Sequence, residues 1–344
     1  MKRFIIGFLI SGILIYFALR GVDWVALKKS LAEIEYRYLL LVIPVLLSIH
    51  LLRSYRWGLI LKPIKAVDQG TLFSITSVGL MGILLLPART GEFLRPYFIS
   101  QEKGIDFRSA MATIVVERVL DGLTIMGFFI WIILFSQLPG WVYRAGYVSL
   151  AVFLAILSVL LLTIKKKEGA LNLVRFFSGI FPNRVQVGIQ EFINSFAEGL
   201  RILPDWRSVG FVIGLSLVIW ILMGIVFYII FQSFYFKLPL MAAYTVLVIV
   251  VIGVMIPGAP GFVGNFHLFC ILGLSLFGIP KPEALSYAII SHLVQVLFTL
   301  ALGVAFLPKV KISSPYLFKK GEKDVRDKST LGVFIGQNKK GGKI

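Results

Sequence analysis

The sequence contains one cysteine and few acidic side chains. Cys270 stands alone, which excludes an internal disulfide and a cysteine-based metal site. Asp and Glu number 17 against 35 Lys and Arg, so the formal net charge is +18. Charged residues make up only 15% of the chain, whereas hydrophobic residues make up 58%. A water-soluble core does not need so much apolar sequence, and the chain is predicted to be a multi-pass integral membrane protein.

The basic excess is interpreted as a membrane feature. In membrane proteins, Lys and Arg concentrate in cytoplasmic loops and contact anionic headgroups. Nucleic acid is not an expected partner, because no basic soluble domain with a recognisable nucleic-acid-binding motif is present. We therefore expect anionic lipid headgroups to be the partners of the basic loops and of the basic C-terminal tail.

Apolar runs of helical length predict an all-α, polytopic transmembrane helix bundle with about eight spans. They are placed at about residues 1–20, 38–61, 70–86, 122–135, 146–164, 210–231, 240–256 and 283–307. Together they form one predicted transmembrane domain, 1–308, with an amphipathic surface helix at about 184–203 and a basic, largely disordered tail at 309–344. The side on which the loop 165–207 lies stays open, because about eight spans cannot place this loop and both termini on the cytoplasmic side.

The stretch 84–121 departs most strongly from its apolar surroundings. Pro87, Gly91 and Pro96 interrupt the helical pattern there. An ionisable side chain at bilayer depth costs about 2.5–3.5 kcal/mol, so those retained are predicted to be functional. Broken helices at this depth are tolerated where they line a cavity or are buried in protein. The stretch is our candidate substrate-binding site, through Arg89, Thr90, Gly91, Glu92, Arg95, Glu117, Arg118 and Asp121.

Opposite charges balance within this stretch. Five basic and five acidic residues lie between positions 87 and 121, although the whole chain is strongly basic. Glu92 and Arg95 are three residues apart, and Glu117 and Asp121 are four apart, which places each pair on one face of a helix. Ion pairing within the site is therefore expected. The alternative is that these charges only lock the broken helices together.

A second region rich in proline and glycine, at about 257–280, resembles the first, at about 87–106. The segments GEFLRPYFI and GNFHLFCIL begin at Gly91 and Gly264, and a Gly-Ile turn follows each at nearly the same spacing. Interrupted hydrophobic segments at matching positions are typical of transporters with a binding site near the middle of the membrane. Both regions are predicted to be re-entrant and to form a degenerate internal repeat, with inverted topology as one option. The alternative is chance similarity between glycine-rich apolar sequences.

The second region carries different polar chemistry. Its candidate substrate-binding residues are Asn265, His267 and His292. No metal-ligand spacing such as H-x-x-x-H is present, so neither a metal nor another cofactor is expected. Further candidate contributors, spaced three apart near the end of the second span, are His50, Arg53 and Arg56. The alternative for the two arginines is that they extend to the headgroups.

Arginine beside the N-termini of short helices suits a phosphate, because bidentate donors combine with free backbone N–H groups. Thr90 and Gly91 would let the backbone approach such a ligand closely. A phospholipid or a polyprenyl-linked lipid would present an anion at the membrane surface and hydrocarbon chains beside it. One of these two lipids is the expected partner of the site.

The motifs PARTGEFLRPYFI, ATIVVERVLD and PGAPGFVGNFH resemble those of a flippase-like membrane family. This is the family of the transmembrane region of lysylphosphatidylglycerol synthases, and it includes proteins related to archaeal glycosylation. The resemblance covers about residues 4–308 and implies re-entrant helices, a role in moving lipids between leaflets and a prokaryotic plasma membrane. Many members have glutamate where this chain has His267 and arginine where it has His292, and this departure leaves the substrate open. We expect no aminoacyl-transferase domain, since a short basic tail follows the spans.

Three functions are compatible with these observations. The first is a lipid transporter that moves an anionic lipid between leaflets without enzymatic activity. The second is a membrane-embedded enzyme acting on a lipid phosphate or glycolipid, with Glu92, Glu117 or Asp121 as the base and His267 as a proton carrier. The third is an accessory partner of a separate lipid or glycosyl transferase. The first is the favoured hypothesis, and the oligomeric state is left open.

Overall fold

The structure is a computed structural model, and it describes residues 2–135, 139–165, 206–256 and 258–311. Within these ranges the chain forms eleven α-helices and no strand, which confirms the all-α class. The α-helices are α1 Lys2–Leu19, α2 Trp24–Ala32, α3 Tyr36–Leu61, α4 Gln69–Leu85, α5 Leu94–Lys103, α6 Phe107–Phe135, α7 Gly140–Lys165, α8 Trp206–Ser233, α9 Leu240–Val254, α10 Asn265–Ser275 and α11 Lys281–Phe306. Three 3-10 helices lie at Pro87–Phe93, Pro260–Phe262 and Leu307–Lys309.

Four helical segments are long and apolar enough to cross a membrane: Tyr36–Leu61, Phe107–Phe135, Arg207–Ser233 and Lys281–Lys309. At most 28% of any of their most apolar windows is buried inside the protein, so the remaining apolar surface is available to lipid. A fifth span results if Gly7–Leu19 and Trp24–Ala32, bent by 88°, count as one. Helix length in the described part of the chain thus supports four or five of the eight predicted spans. The predicted surface helix at 184–203 and the tail after 311 lie outside the described residues.

Helix α6 differs from the expectation that a span starts only after Asp121. It runs without interruption for 29 residues, from Phe107 to Phe135, and carries the charged triplet Glu117, Arg118 and Asp121 in its interior. The charges do not end the helix, because each finds an oppositely charged partner and no proline follows Phe107 within it. Within the stretch 84–121 the helical path is therefore interrupted before Phe107 and not after it.

The first break is formed where α4 ends and the 3-10 helix Pro87–Phe93 begins. Leu86 has extended backbone angles, and Pro87 is the first residue of the new helix, where a missing N–H is tolerated. The new helix packs back against α4 at Gly91. A Cβ on Gly91 would overlap the backbone of Gly82 and Ile83, so glycine is required for this contact. Gly91 therefore serves a backbone–backbone contact within the protein.

The second break lies between α9 and α10. Gly261 and Gly264 both have positive φ, 70° and 92°, which glycine adopts without a steric penalty. The Asn265 side chain Nδ2 donates hydrogen bonds to the carbonyl oxygens of Gly253 and Ile256, at 3.1 and 2.8 Å. The Gly253 carbonyl also accepts the Ile256 N–H at 3.2 Å, so Asn265 adds a second donor there and binds the Ile256 carbonyl just beyond α9. The 3-10 helices of the two breaks contact each other.

The core has two parts. The larger one is centred on α8, α9, α10 and α11, where the buried Tyr287 hydroxyl donates to the Phe227 carbonyl at 3.0 Å. The smaller one lies between α3, α4, α5 and α6, and it includes Trp57, Ile75 and Phe98. The charged residues of α5 and α6 lie beside the smaller core, since Trp57 packs directly against Arg95.

We predict that Gly91→Ala strongly destabilises the protein. The added methyl group would meet backbone atoms of α4, which cannot move aside as a flexible side chain can. Overpacking of this kind costs about 1–3 kcal/mol or more. The measurement is the thermal unfolding of the purified protein in detergent.

The matched control is Gly127→Ala in α6, because a Cβ on Gly127 meets nothing within 4 Å. Alanine there should leave the melting temperature unchanged or raise it slightly, since alanine favours the helix over glycine. Equal melting temperatures for the two variants would contradict the packing role of Gly91.

We also predict an acid-sensitive contribution from Asp68, which precedes α4 and lies outside the spans. Its carboxylate accepts the Thr71 N–H at 2.8 Å and pairs with the Lys103 ammonium at 3.0 Å, and these partners hold the pKa of Asp68 well below its ordinary value. A lowered folded-state pKa gives stability that is present above the ordinary aspartate pKa of about 4 and is lost at lower pH. Asp68→Asn keeps the capping acceptor but loses the charge.

The difference in melting temperature between wild type and Asp68→Asn should therefore favour wild type at pH 7 and shrink below about pH 4. The effect should be small, about 1 kcal/mol or less, because the pair is largely exposed to solvent. A difference that stays constant down to pH 3 would show that the charge is not involved.

Candidate functional site

Arg95 and Glu117 form a buried ion pair between α5 and α6. Arg95 Nη1 donates to Glu117 Oε2 at 2.6 Å, and both side chains are at most 5% exposed. Two charges withdrawn from water are stable only with good geometry and further partners. The pair therefore fixes the short helix α5, which follows the first break, against the long helix α6.

Arg56 joins α3 to the same helix. Its Nη1 donates to Asp121 Oδ1 at 2.8 Å, and its Nη2 lies 3.6 Å from Glu117 Oε1. Glu117 and Asp121 are one turn apart on α6, which allows one guanidinium to reach both carboxylates. Arg56 Nη1 also donates to the Ser216 hydroxyl of α8 at 2.7 Å. The extension of Arg56 to the headgroups, considered as an alternative, is therefore wrong for this residue, which is 1% exposed.

Asp121 is the carboxylate at which three elements meet. Besides Arg56 of α3, it accepts the indole N–H of Trp220 from α8 at 3.1 Å. On its own helix, Arg118 Nη2 lies 3.3 Å from Asp121 Oδ2. The Arg118 side chain is 41% exposed, so this is the ion pair of the cluster that a ligand can reach most easily.

A tryptophan and a glycine position the Arg95 side chain. The Arg95 guanidinium lies 4.2 Å from the centre of the Trp57 ring, in cation–π contact. The Trp57 indole N–H is fixed in turn by Thr113 Oγ1 of α6 at 2.9 Å. Opposite the tryptophan, a Cβ on Gly79 of α4 would overlap the Arg95 side chain. Arg95 is thus enclosed by three helices, which pre-organises it.

Several donors of this charged cluster have no hydrogen-bond partner among the described residues. Arg56 Nε and the Nε and Nη2 groups of Arg95 are buried without a hydrogen-bond partner, and Glu117 Oε1 has only the 3.6 Å contact with Arg56. A buried polar group without a partner costs about 1–3 kcal/mol. The cluster can therefore gain from an incoming anion or a bound water.

The structure places the remaining residues of the first motif around this cluster. Thr90 lies exposed in the 3-10 helix Pro87–Phe93, and the half-buried Glu92 carboxylate lies within electrostatic reach of Arg118. Arg89 belongs to the same 3-10 helix, but its side chain lies outside what the structure describes. Arg95 pairs with Glu117 of α6, which is 22 positions away, through tertiary structure.

The polar residues of the second region form a separate group at the second break. The rings of His267 and His292 meet edge to face, with centres 5.0 Å apart. His292 Nε2 lies 2.8 Å from the Gly261 carbonyl, and its ring stacks on Phe266 at 4.7 Å. Asn265 is used in capping α9, as described above. The histidines thus hold the second break to α11.

His50 lies apart from this pair on α3. Its Nδ1 is 3.2 Å from the Leu46 carbonyl, and its ring meets the edge of Phe298 at 5.2 Å. Arg53, one turn further along the helix, lies half-buried within electrostatic reach of Asp121 and Arg118. No group of three or more metal-ligand side chains converges in the part of the chain that the structure describes.

Sequence reasoning missed the neutral partners of the cluster, which are Trp57, Thr113, Ser216 and Trp220. A usable signal existed in α8, where Ser216 and Trp220 lie four residues apart in a strongly apolar span and share one face. Trp57 directly follows Arg56, but adjacency in a helix does not place two side chains together. Its role under Arg95 depends on the position of α5.

The sequence profile of the lysylphosphatidylglycerol synthase transmembrane region matches residues 4–303. A UPF0104 membrane protein of Methanothermobacter thermautotrophicus is 24% identical over 302 residues, which are 82% of this chain and 88% of the relative. A UPF0104 membrane protein of Methanocaldococcus jannaschii is 24% identical over 310 residues, covering 87% and 91%. The glycosyltransferase AglD of Haloferax volcanii is 26% identical over 294 residues, covering 76% of this chain and 47% of AglD. No solved structure matches the chain significantly.

We predict that Glu117→Gln destabilises the protein by about 3–5 kcal/mol, because it leaves two buried guanidiniums without a shared carboxylate. The measurement is chemical or thermal unfolding in detergent. The control is Glu33→Gln, whose carboxylate makes an exposed pair with Lys29 at 3.9 Å and should contribute about 0.5 kcal/mol or less. Similar losses for both variants would refute the structural importance of the buried pair.

Proposed function

We propose that this chain, which belongs to the family of the lysylphosphatidylglycerol synthase transmembrane region, is a lipid transporter that moves an anionic lipid between the two leaflets. It is a multi-pass integral membrane protein, and the proposed location is the plasma membrane of a prokaryote. The proposal treats the charged cluster of α3, α5, α6 and α8 as the part of the protein that contacts the lipid headgroup.

The observation that carries the proposal is the density of charge inside an apolar bundle. Arg56, Arg95 and Glu117 are almost fully buried in a protein whose spans are otherwise apolar. Charged side chains at membrane depth are costly and typically mark the path of a substrate or an ion. The guanidinium donors of Arg56 and Arg95 that have no hydrogen-bond partner among the described residues favour an anionic substrate over a cationic one.

The two breaks fit a transporter as well. The 3-10 helices Pro87–Phe93 and Pro260–Phe262 contact each other, so both interruptions lie in one region of the bundle. Interrupted helices around a common site are typical of transporters built from internal repeats. The proposal therefore includes the degenerate repeat, the re-entrant course of about 87–106 and 257–280, and the eight-span arrangement in which α4, α7 and α9 supply the three remaining spans.

The name of one relative supports a second candidate. AglD of Haloferax volcanii is called a glycosyltransferase, and this chain matches 47% of its length. A match to less than half of a protein called a glycosyltransferase is compatible with an accessory role, in which this chain presents a polyprenyl-linked lipid to a separate enzyme. This candidate predicts binding of the lipid without leaflet exchange by the purified chain.

We predict that purified protein in liposomes accelerates the leaflet exchange of labelled anionic lipid. Arg118→Gln should reduce this exchange by tenfold or more, because hydrogen bonds to a charged group contribute about 1.5–3 kcal/mol. Arg118 suits the test, because its side chain is 41% exposed and its removal leaves the Arg95–Glu117 pair intact. The rate is measured with a fluorescent phosphatidylglycerol and a membrane-impermeant quencher.

The control variant is Arg20→Gln, which removes an exposed arginine at the end of α1. It should exchange lipid at the wild-type rate. Wild-type rates no faster than those of protein-free liposomes, for both phospholipid and polyprenyl phosphate, would overturn the transporter and favour the accessory role.

A further inference from the structure

Arg53 is an arginine of α3 that has no hydrogen-bond or ion-pair partner among the described residues. It is half-buried and lies one turn before Arg56, which makes two ion pairs. Within the residues that the structure describes, no group accepts a hydrogen bond from Arg53 or forms an ion pair with it. A guanidinium has five N–H donors and cannot lose its charge in a protein, so its need for acceptors is permanent.

The carboxylates near Arg53 are already engaged. Asp121 and Glu117 are the acidic groups that act on it electrostatically. Asp121 is held by Arg56, Arg118 and the Trp220 indole N–H. Glu117 is held by Arg95 and Arg56. The described residues therefore leave the donors of Arg53 available to an acceptor from outside the protein.

The charge of the cluster indicates what kind of acceptor fits. Its described side chains are four arginines and three carboxylates: Arg53, Arg56, Arg95 and Arg118 against Glu92, Glu117 and Asp121. Among these described side chains positive charge is in excess, which favours an anionic ligand. A phosphodiester carries a single negative charge and offers two oxygens to a guanidinium in bidentate geometry.

Access separates Arg53 from the two arginines that pack inside the bundle. Arg56 and Arg95 are 1% and 4% exposed and are held by carboxylates and by Trp57. Arg53 keeps more of its surface accessible, on the same helix as Arg56 and beside the exposed Arg118. Because Arg53 forms no ion pair with a described residue, a headgroup that binds it need not replace one.

We propose that Arg53 binds the phosphodiester of a singly charged phospholipid headgroup, and that Arg56 is a structural residue of the same site. This inference rests on the proposed function for the identity of the ligand as a lipid. The division of roles between two arginines three positions apart follows from their partners. Substitution of Arg53 removes a ligand contact, whereas substitution of Arg56 removes the ion pairs between α3 and α6.

The test measures binding of phosphatidylglycerol and phosphatidylcholine to the purified full chain by native mass spectrometry. Arg53→Gln should weaken phosphatidylglycerol binding about tenfold to a hundredfold and leave the melting temperature unchanged. Phosphatidylcholine carries the same phosphodiester together with a cationic choline, so wild type should bind it more weakly than phosphatidylglycerol, and Arg53→Gln should narrow this difference. Arg53→Lys should fall between wild type and Arg53→Gln, because lysine keeps the charge and loses the bidentate geometry. Arg37→Gln, which removes an arginine whose side chain is 73% exposed, is the matched control and should bind as wild type.

Other results would overturn the inference. The first is wild-type affinity for phosphatidylglycerol in Arg53→Gln, and the second is a melting temperature of Arg53→Gln lowered as much as that of Arg56→Gln. The third is displacement of the lipid by millimolar inorganic phosphate. The fourth is Arg53-dependent binding of a polyprenyl diphosphate without binding of phosphatidylglycerol. The transporter is tested separately. Arg53-dependent binding without leaflet exchange by wild type would support the inference and refute the transporter. Leaflet exchange by wild type, with unchanged exchange and binding in Arg53→Gln, would support the transporter and refute the inference.

Discussion

The position of Glu117 between Arg56 and Arg95 is the constraint on which the site depends. A buried carboxylate without partners could not remain charged, and Arg95 forms an ion pair with no other carboxylate among the described residues. The three side chains come from α3, α5 and α6, so their pairing fixes the relative position of these helices. Apolar contacts alone would specify this arrangement weakly, since lipid tails compete equally well for apolar helix faces.

Glycine supplies the second constraint, at the places where backbone meets backbone or a side chain must pass. Gly91 lets the first 3-10 helix lie directly on α4, and Gly79 leaves the space that Arg95 occupies. The short helix α5 thereby comes close enough for Arg95 to reach α6. Close packing through small residues and a buried charge network thus operate together, because each needs the helix position that the other provides.

Much of this was accessible from the sequence, and the reasons for the remainder are physical. The long apolar runs of α3, α8 and α11 and the breaks at Pro87 and Pro260 follow from hydropathy and backbone stereochemistry. The continuous helix through Glu117 and Asp121 could not be predicted from the sequence, because the partner of both charges is Arg56. It lies 61 positions from Glu117 and 65 positions from Asp121. The use of Gly91 for packing against α4, rather than for ligand approach, likewise depends on tertiary structure. The substrate-binding roles of the candidate residues stay predictions.

The indole N–H of Trp220 on the Asp121 carboxylate has an optical consequence. Trp220 and Trp57 are two of six tryptophans in the chain, and both donate hydrogen bonds within the charged cluster, one to a carboxylate and one to a hydroxyl. Indole emission and absorption respond to the charge and polarity next to the ring. The cluster therefore contains its own chromophores, and ultraviolet spectroscopy can follow its rearrangement in an unlabelled protein.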